Sequence, residues 1–146
     1  MLFRSSLTMP YLNIKISLEP SAPLAEAIAT RLTRITADLL GKKPEVTAVV
    51  VEQIPVRHWF TGGRSLASSG RHSFYLEIKI TEGSNTKQEK AAYCSHVFSA
   101  MQELLGPLDQ ASYIVLHDVR ADSWGFDGKT QEYRFIKAFT QEEGNL

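Results

Sequence analysis

A chain of 146 residues suits one domain with a single core, and 43% hydrophobic and 22% charged residues mark an ordinary globular protein, not a disordered one. Sixteen basic and sixteen acidic residues cancel to a formal net charge of zero, so neither a basic excess that would invite nucleic acid nor a like-charged tail is present. One cysteine, Cys94, excludes an intrachain disulfide and a Cys-x-x-Cys metal pair; no apolar run reaches bilayer length, and the expected compartment is the cytoplasm, with no membrane partner.

In chain order, residues 1–9 read as an N-terminal extension. The segment carries one cation, Arg4, and no apolar stretch of seven or more residues, so it is not expected to be a secretory signal. Tyr11 to Ser17 alternates as a half-buried strand, with Leu12, Ile14 and Ile16 on one face. Ser21 is placed to cap a helix whose first turn holds Pro23, and Leu24, Ile28, Leu32, Ile35 and Leu39 form its apolar face. Gly41 supplies a left-handed stop and Pro44 prevents continuation. The β-branched run Val46 to Ile54 is the return strand.

The same order then repeats. Tyr11-Leu12-Asn13-Ile14-Lys15-Ile16 returns as Tyr75-Leu76-Glu77-Ile78-Lys79-Ile80, Leu39-Leu40-Gly41 as Leu104-Leu105-Gly106, and Val49-Val50-Val51 as Ile114-Val115-Leu116. The chain is a tandem duplication. Ser73 to Thr81 is the third strand, and Thr86 with Glu89 forms a capping box. Cys94, Val97, Phe98, Met101, Leu104 and Leu105 line the second helix, and Tyr113 to Val119 is the fourth strand. A Gly/Ser-rich connection runs from Phe60 to Arg71; a turn-rich tail from Asp122 to Gly128 precedes a short strand predicted at Tyr133 to Ile136.

These elements predict an α/β (α+β) fold: a tandem β-α-β duplication giving a four-stranded mixed sheet with two helices on one face. Unit one covers residues 10–59, a connection 60–72, unit two 73–121 and the tail 122–146. The opposite sheet face still carries apolar residues, which predicts oligomerisation. His58, His72, His96 and His117 share no ligand spacing, so neither metal nor cofactor is expected. Cys94 reads as a core thiol, and Gly62-Gly63 lacks the strand-to-helix setting of a phosphate loop.

Met9-Pro10-Tyr11-Leu12-Asn13-Ile14 resembles the start of the tautomerase superfamily, in which the initiator methionine is removed and proline becomes the first residue. His58-Trp59-Phe60-Thr61-Gly62-Gly63 resembles an element of 4-oxalocrotonate tautomerase relatives. Gly41-Lys42-Lys43-Pro44 and the run from Tyr113-Ile114 through Asp118 to Gly125-Phe126 resemble macrophage migration inhibitory factor. The resemblance spans residues 10–126 and implies a homotrimer with active sites at subunit edges. It also implies keto–enol tautomerisation of a small enol or 2-oxo carboxylate, with Pro10 as general base. A terminal amine can serve, because apolar burial and a nearby cation bring its pKa toward neutrality; an acylated proline nitrogen has no basic lone pair. By the same resemblance Lys42 is the substrate-binding cation, Ile78 a backbone donor, Tyr113 a pocket wall and hydroxyl, and Trp59 and Phe126 apolar lining.

The departures narrow this. Pro20 and Ala48 stand where 4-oxalocrotonate tautomerase relatives have two arginines, and Thr81 and Ser84 where cis-haloacrylate dehalogenases have two. Val115 replaces the asparagine two residues after the tyrosine, and the second copy starts with Phe74, leaving one base per chain. Two other readings stand beside tautomerisation: a ligand-binding or regulatory domain of ferredoxin-like type, and a degenerate homologue acting as a trimeric binding protein.

Overall fold

In the computed structural model, which describes residues 9–144, the chain runs β1 (Tyr11–Ile16), α1 (Ala22–Leu40), β2 (Ala48–Gln53), β3 (Phe60–Thr61), β4 (Arg64–Ser65), β5 (Phe74–Thr81), α2 (Lys87–Leu105), β6 (Tyr113–Val119), β7 (Gly125–Phe126), β8 (Lys129–Thr130) and α3 (Gln131–Gly144). The main sheet has the order β2-β1-β5-β6, with β1 parallel to β2, β5 parallel to β6, and β1 antiparallel to β5. Two β-α-β units thus meet back to back, giving the expected mixed sheet.

Alternation decides which face is covered. Leu12, Ile14 and Ile16 of β1 and Phe74, Leu76, Ile78 and Ile80 of β5 point to the helices and are buried. Ile28, Leu32 and Leu40 of α1 and Tyr93, Val97 and Met101 of α2 meet them. Each such side chain contributes about 1.5–3 kcal/mol by leaving water. The α2 face is centred on Tyr93, one residue from the expected Cys94, because Tyr93 also reaches across to α1, its hydroxyl 2.8 Å from Thr36 Oγ1. Cys94 is half-buried, and that burial raises its thiol pKa.

The helix ends follow the sequence signals. Ser21 Oγ accepts from the Leu24 amide at 3.3 Å, Gly41 closes α1 at φ 69°, and Thr86 and Glu89 exchange both bonds of the capping box. Pro44–Val46 forms a 3-10 turn, so β2 starts only at Ala48.

Two features go beyond the sequence reading. The connection and the tail each fold into a small hairpin on a two-residue turn, Gly62-Gly63 in one and Asp127-Gly128 in the other. All four turn residues have positive φ, as such hairpins demand. The duplication therefore extends into the hairpins, with Trp59 and Trp124 as equivalent positions. The strand expected at Tyr133 to Ile136 is instead part of helix α3. Thr130 Oγ1 accepts from the Tyr133 amide at 3.0 Å and caps the first turn, while Phe135 and Phe139, four apart, stack at 6.4 Å.

The face away from the helices carries three cross-strand rows: Ala48-Tyr11-Lys79-His117, Val50-Asn13-Glu77-Val115 and Glu52-Lys15-Tyr75-Tyr113. It is a mixed surface, with charged groups in contact with one another. Glu77 Oε1 lies 3.0 Å from His117 Nε2, and Asn13 Nδ2 donates to Glu52 at 2.9 Å.

Candidate active site

Topology gathers several chain segments at one end of the sheet. The start of β1, the C-terminus of α1, the end of β5, the N-terminus of α2 and the end of β6 all lie there, because each helix runs back against the strand before it and β5 is antiparallel to β1. Pro10 sits at this end, buried, with its carbonyl accepting from the Ala48 amide at 3.3 Å. Its nitrogen is acylated by Met9, whose carbonyl accepts from Trp124 Nε1 at 3.1 Å.

Lys42, just past the α1 cap, is only 3% exposed despite its charge. Its Nζ donates to Ser84 Oγ at 3.0 Å, and Ser84 Oγ donates in turn to the Thr81 carbonyl at 2.5 Å. Asn85 Nδ2 donates to the Leu40 carbonyl at 3.0 Å, tying the last turn of α1 to the loop before α2. Thr81 and Ser84, the positions read as missing arginines, thus form the seat of Lys42.

Phe126 also lies at this end, half-buried in β7, with the Arg134 guanidinium 4.6 Å above its ring. Arg120 is engaged by Asp122 through two contacts of 3.1 Å. Ile78 has its side chain in the core and pairs with Leu12 on one side and Leu116 on the other. Continuing the β1–β5 register by one residue brings Ile80 across from Pro10.

Tyr113 and Trp59 stand elsewhere. Tyr113 opens β6 across from Tyr75, which faces Lys15, so within one chain it is about 17 Å along the strands from Pro10. It is 60% exposed. Trp59 follows the far end of β2, as do His58 and Arg64. Asp118 is paired with Lys90 at 2.5 Å and His117 with Glu77 at 3.0 Å.

The arrangement offers one buried cation, an indole donor and a buried proline at one place. Among the described residues no group of three or more His, Cys, Asp or Glu could hold a metal, and no helix is long and apolar enough to cross a membrane. A cavity of about 720 Å³ lies in the groove between the C-terminal half of α1 and the start of the edge strand β2, lined by residues such as Thr33, Asp38, Pro44 and Val49. Sequence pattern does not single out Trp124 or Arg134 for this site. Only the Trp59–Trp124 equivalence in the repeat could have pointed to the first.

A family model described as "Tautomerase enzyme" matches residues 10–68 and again 75–133, one copy per unit. A probable tautomerase of Dickeya dadantii (strain 3937) is 30% identical over 59 residues, which are 40% of this chain and 88% of that protein. A chain from the asymmetric trimer of a wild-type fused 4-OT superposes with a TM-score of 0.74 at 20% identity, over 84% of this chain and 97% of that one. A macrophage migration inhibitory factor-like protein from Entamoeba histolytica gives a TM-score of 0.67 at 20% identity, over 84% and 98% of the two chains.

Proposed function

Because the chain belongs to the tautomerase family, we propose that it is a keto–enol tautomerase whose general base is Pro10 in a form of the protein that begins at that residue. The observation that carries this reading is the burial of Pro10 at the end of the sheet where Lys42 is held. An amine there is desolvated and has a fixed cation at the same end of the fold, and both influences lower its pKa toward the working range of a base. Lys42 then holds a carboxylate or carbonyl oxygen of the substrate, and Phe126 contributes apolar lining.

The active assembly in this reading is a homotrimer, as in the fused 4-OT neighbour. Among the described residues β2 and β6 are the edge strands of the sheet, and Phe60, Tyr113, Tyr133, Ile136 and Phe139 are large exposed apolar groups that a neighbour can cover. Assembly is also the way for Tyr113 and Trp59, distant from Pro10 in their own chain, to wall the site of another copy. The substrate is a small monocarboxylic enol or 2-oxo acid.

The test is to prepare two forms, one starting at Met1 and one at Pro10, each verified by intact mass, and to follow ketonisation of phenylpyruvate enol. The form starting at Pro10 is expected to turn over and the longer form to be nearly inactive, since no environment restores a base to an amide nitrogen. Equal rates would overturn the amine mechanism.

A further inference from the structure

The Trp124 indole N–H donates to the Met9 carbonyl oxygen at 3.1 Å. That oxygen belongs to the group acylating Pro10, so covalent geometry puts it about 2.3 Å from the Pro10 nitrogen. In a chain that begins at Pro10 the carbonyl is gone, and a half-buried indole donor is left directed at the space beside the amine. A donor so placed needs an acceptor.

We propose that Trp124 is a catalytic residue whose indole N–H holds the keto or enol oxygen of the substrate beside Pro10, near the point the Met9 carbonyl takes in the longer chain but at non-bonded distance from the amine. This deepens the proline reading and rests on it. The distances suit the reaction. In a keto–enol pair the oxygen is two bonds from the carbon that exchanges the proton, so an oxygen held by the indole brings that carbon within about 3–3.5 Å of the amine. As the C–H bond breaks, its proton goes to the Pro10 nitrogen, its electron pair forms the C=C bond, and the carbonyl pair moves onto oxygen. Trp124 stabilises that developing charge. The resulting prolinium then returns the proton to oxygen, giving the enol, and the reverse sequence gives the ketone. An indole nitrogen is a donor only, so it supports the oxygen without competing with Pro10 for the proton.

The support of the indole is rigid. The Trp124 carbonyl accepts from the Gln131 amide at 2.8 Å, locking the base of the β7–β8 hairpin. Its equivalent in the first unit, Trp59, stands in the hairpin at the other end, where Phe74 starts the strand in place of a proline, and so has no catalytic counterpart to serve.

In the form beginning at Pro10, Trp124→Phe keeps an aromatic ring and removes the donor. It is expected to lower kcat for phenylpyruvate enol about 100-fold, with the pH-rate limb of the Pro10 amine unmoved and with partial rescue by Trp124→His. A second measurement does not depend on how the variants fold. In the unsubstituted protein the ¹H–¹⁵N indole signal of Trp124, assigned with the help of Trp59→Phe, should move downfield on addition of phenylpyruvate. A kcat within twofold of the parent, or an indole signal that does not move, overturns the role of Trp124 while the parent activity leaves the proline reading standing. An inactive parent beginning at Pro10 overturns the proline reading and this proposal together.

Discussion

Gln131 occupies in the second hairpin the position that Leu66 occupies in the first, 65 residues earlier. The Gln131 amide donates to the Trp124 carbonyl at 2.8 Å, as the Leu66 amide donates to that of Trp59 at 2.9 Å. Both residues are buried, yet neither Nε2 nor Oε1 of Gln131 has a hydrogen-bond partner among the described residues. Two ends built on one plan therefore differ by a buried amide, and the amide is at the end that holds Pro10.

A buried amide without partners costs about 1–3 kcal/mol relative to a well-packed apolar group. Gln131→Leu, which copies the other unit, is expected to raise the free energy of unfolding by that amount in a urea titration. A loss of stability would mean that assembly or ligand supplies the partner.

Lys42 is expected to act through its charge. Lys42→Met keeps most of the buried stem and removes the donor to Ser84 Oγ. A charge-assisted bond to substrate is worth about 1.5–3 kcal/mol, so kcat/KM should fall about 10- to 150-fold. Steady-state kinetics showing an unchanged kcat/KM would leave Lys42 a structural cation only.

Assembly is checked by light scattering at micromolar concentration, where the mass of three chains is expected. A monomer there would remove the trimer and with it any contribution of Tyr113 or Trp59 to the site of a neighbour.

Specificity follows from the cations that the fold leaves beside Pro10. Arg120 is engaged by Asp122, and Arg64 lies at the other end of the sheet. A monocarboxylic enol should therefore be turned over at least tenfold faster, in kcat/KM, than a dicarboxylic muconate, one missing bidentate clamp being worth about 1.5–3 kcal/mol. Equal values would show that a second cation, such as Arg134 near Phe126, serves the distal carboxylate.

Alkaline stability should depend on Tyr93. Burial holds its hydroxyl well above the ordinary phenol value of 10.0, with the bond to Thr36 opposing in part. Above about pH 10 the unfolded chain releases a proton that the folded chain keeps, so stability falls as pH rises, at about 1.4 kcal/mol per pH unit for this group. Unfolding titrations from pH 9 to 11 should show that slope, and Tyr93→Phe should lose it.

Much of the fold was legible because short-range rules governed it. The alternation of Leu12, Ile14 and Ile16, the Thr86–Glu89 capping box and the Gly41 stop each act within a few residues, and the duplication fixed how two such units pair. Residues 133–136 read as strand in the sequence because Tyr133 and Ile136 are apolar. The deciding signal, the Thr130 cap, depended on recognising the hairpin before it. Pro10 and Lys42 could be identified by resemblance, but Trp124 reaches Met9 across 115 residues of chain, and Tyr113 was separated from Pro10 by the direction of β6. Such meetings come from tertiary geometry, which local pattern does not encode.

The fusion of two units has a consequence for catalytic valence. A chain has one amino terminus, and the strand that opens the second unit begins at Phe74, inside the chain, where any residue would be held as an amide. Phe74→Pro cannot create a second centre. Only a circular permutant opened before residue 74, with the original ends joined, would offer a free amine there, and it would do so by surrendering the one at Pro10. On the proline reading, linking the units makes the two ends mutually exclusive as places for a terminal amine.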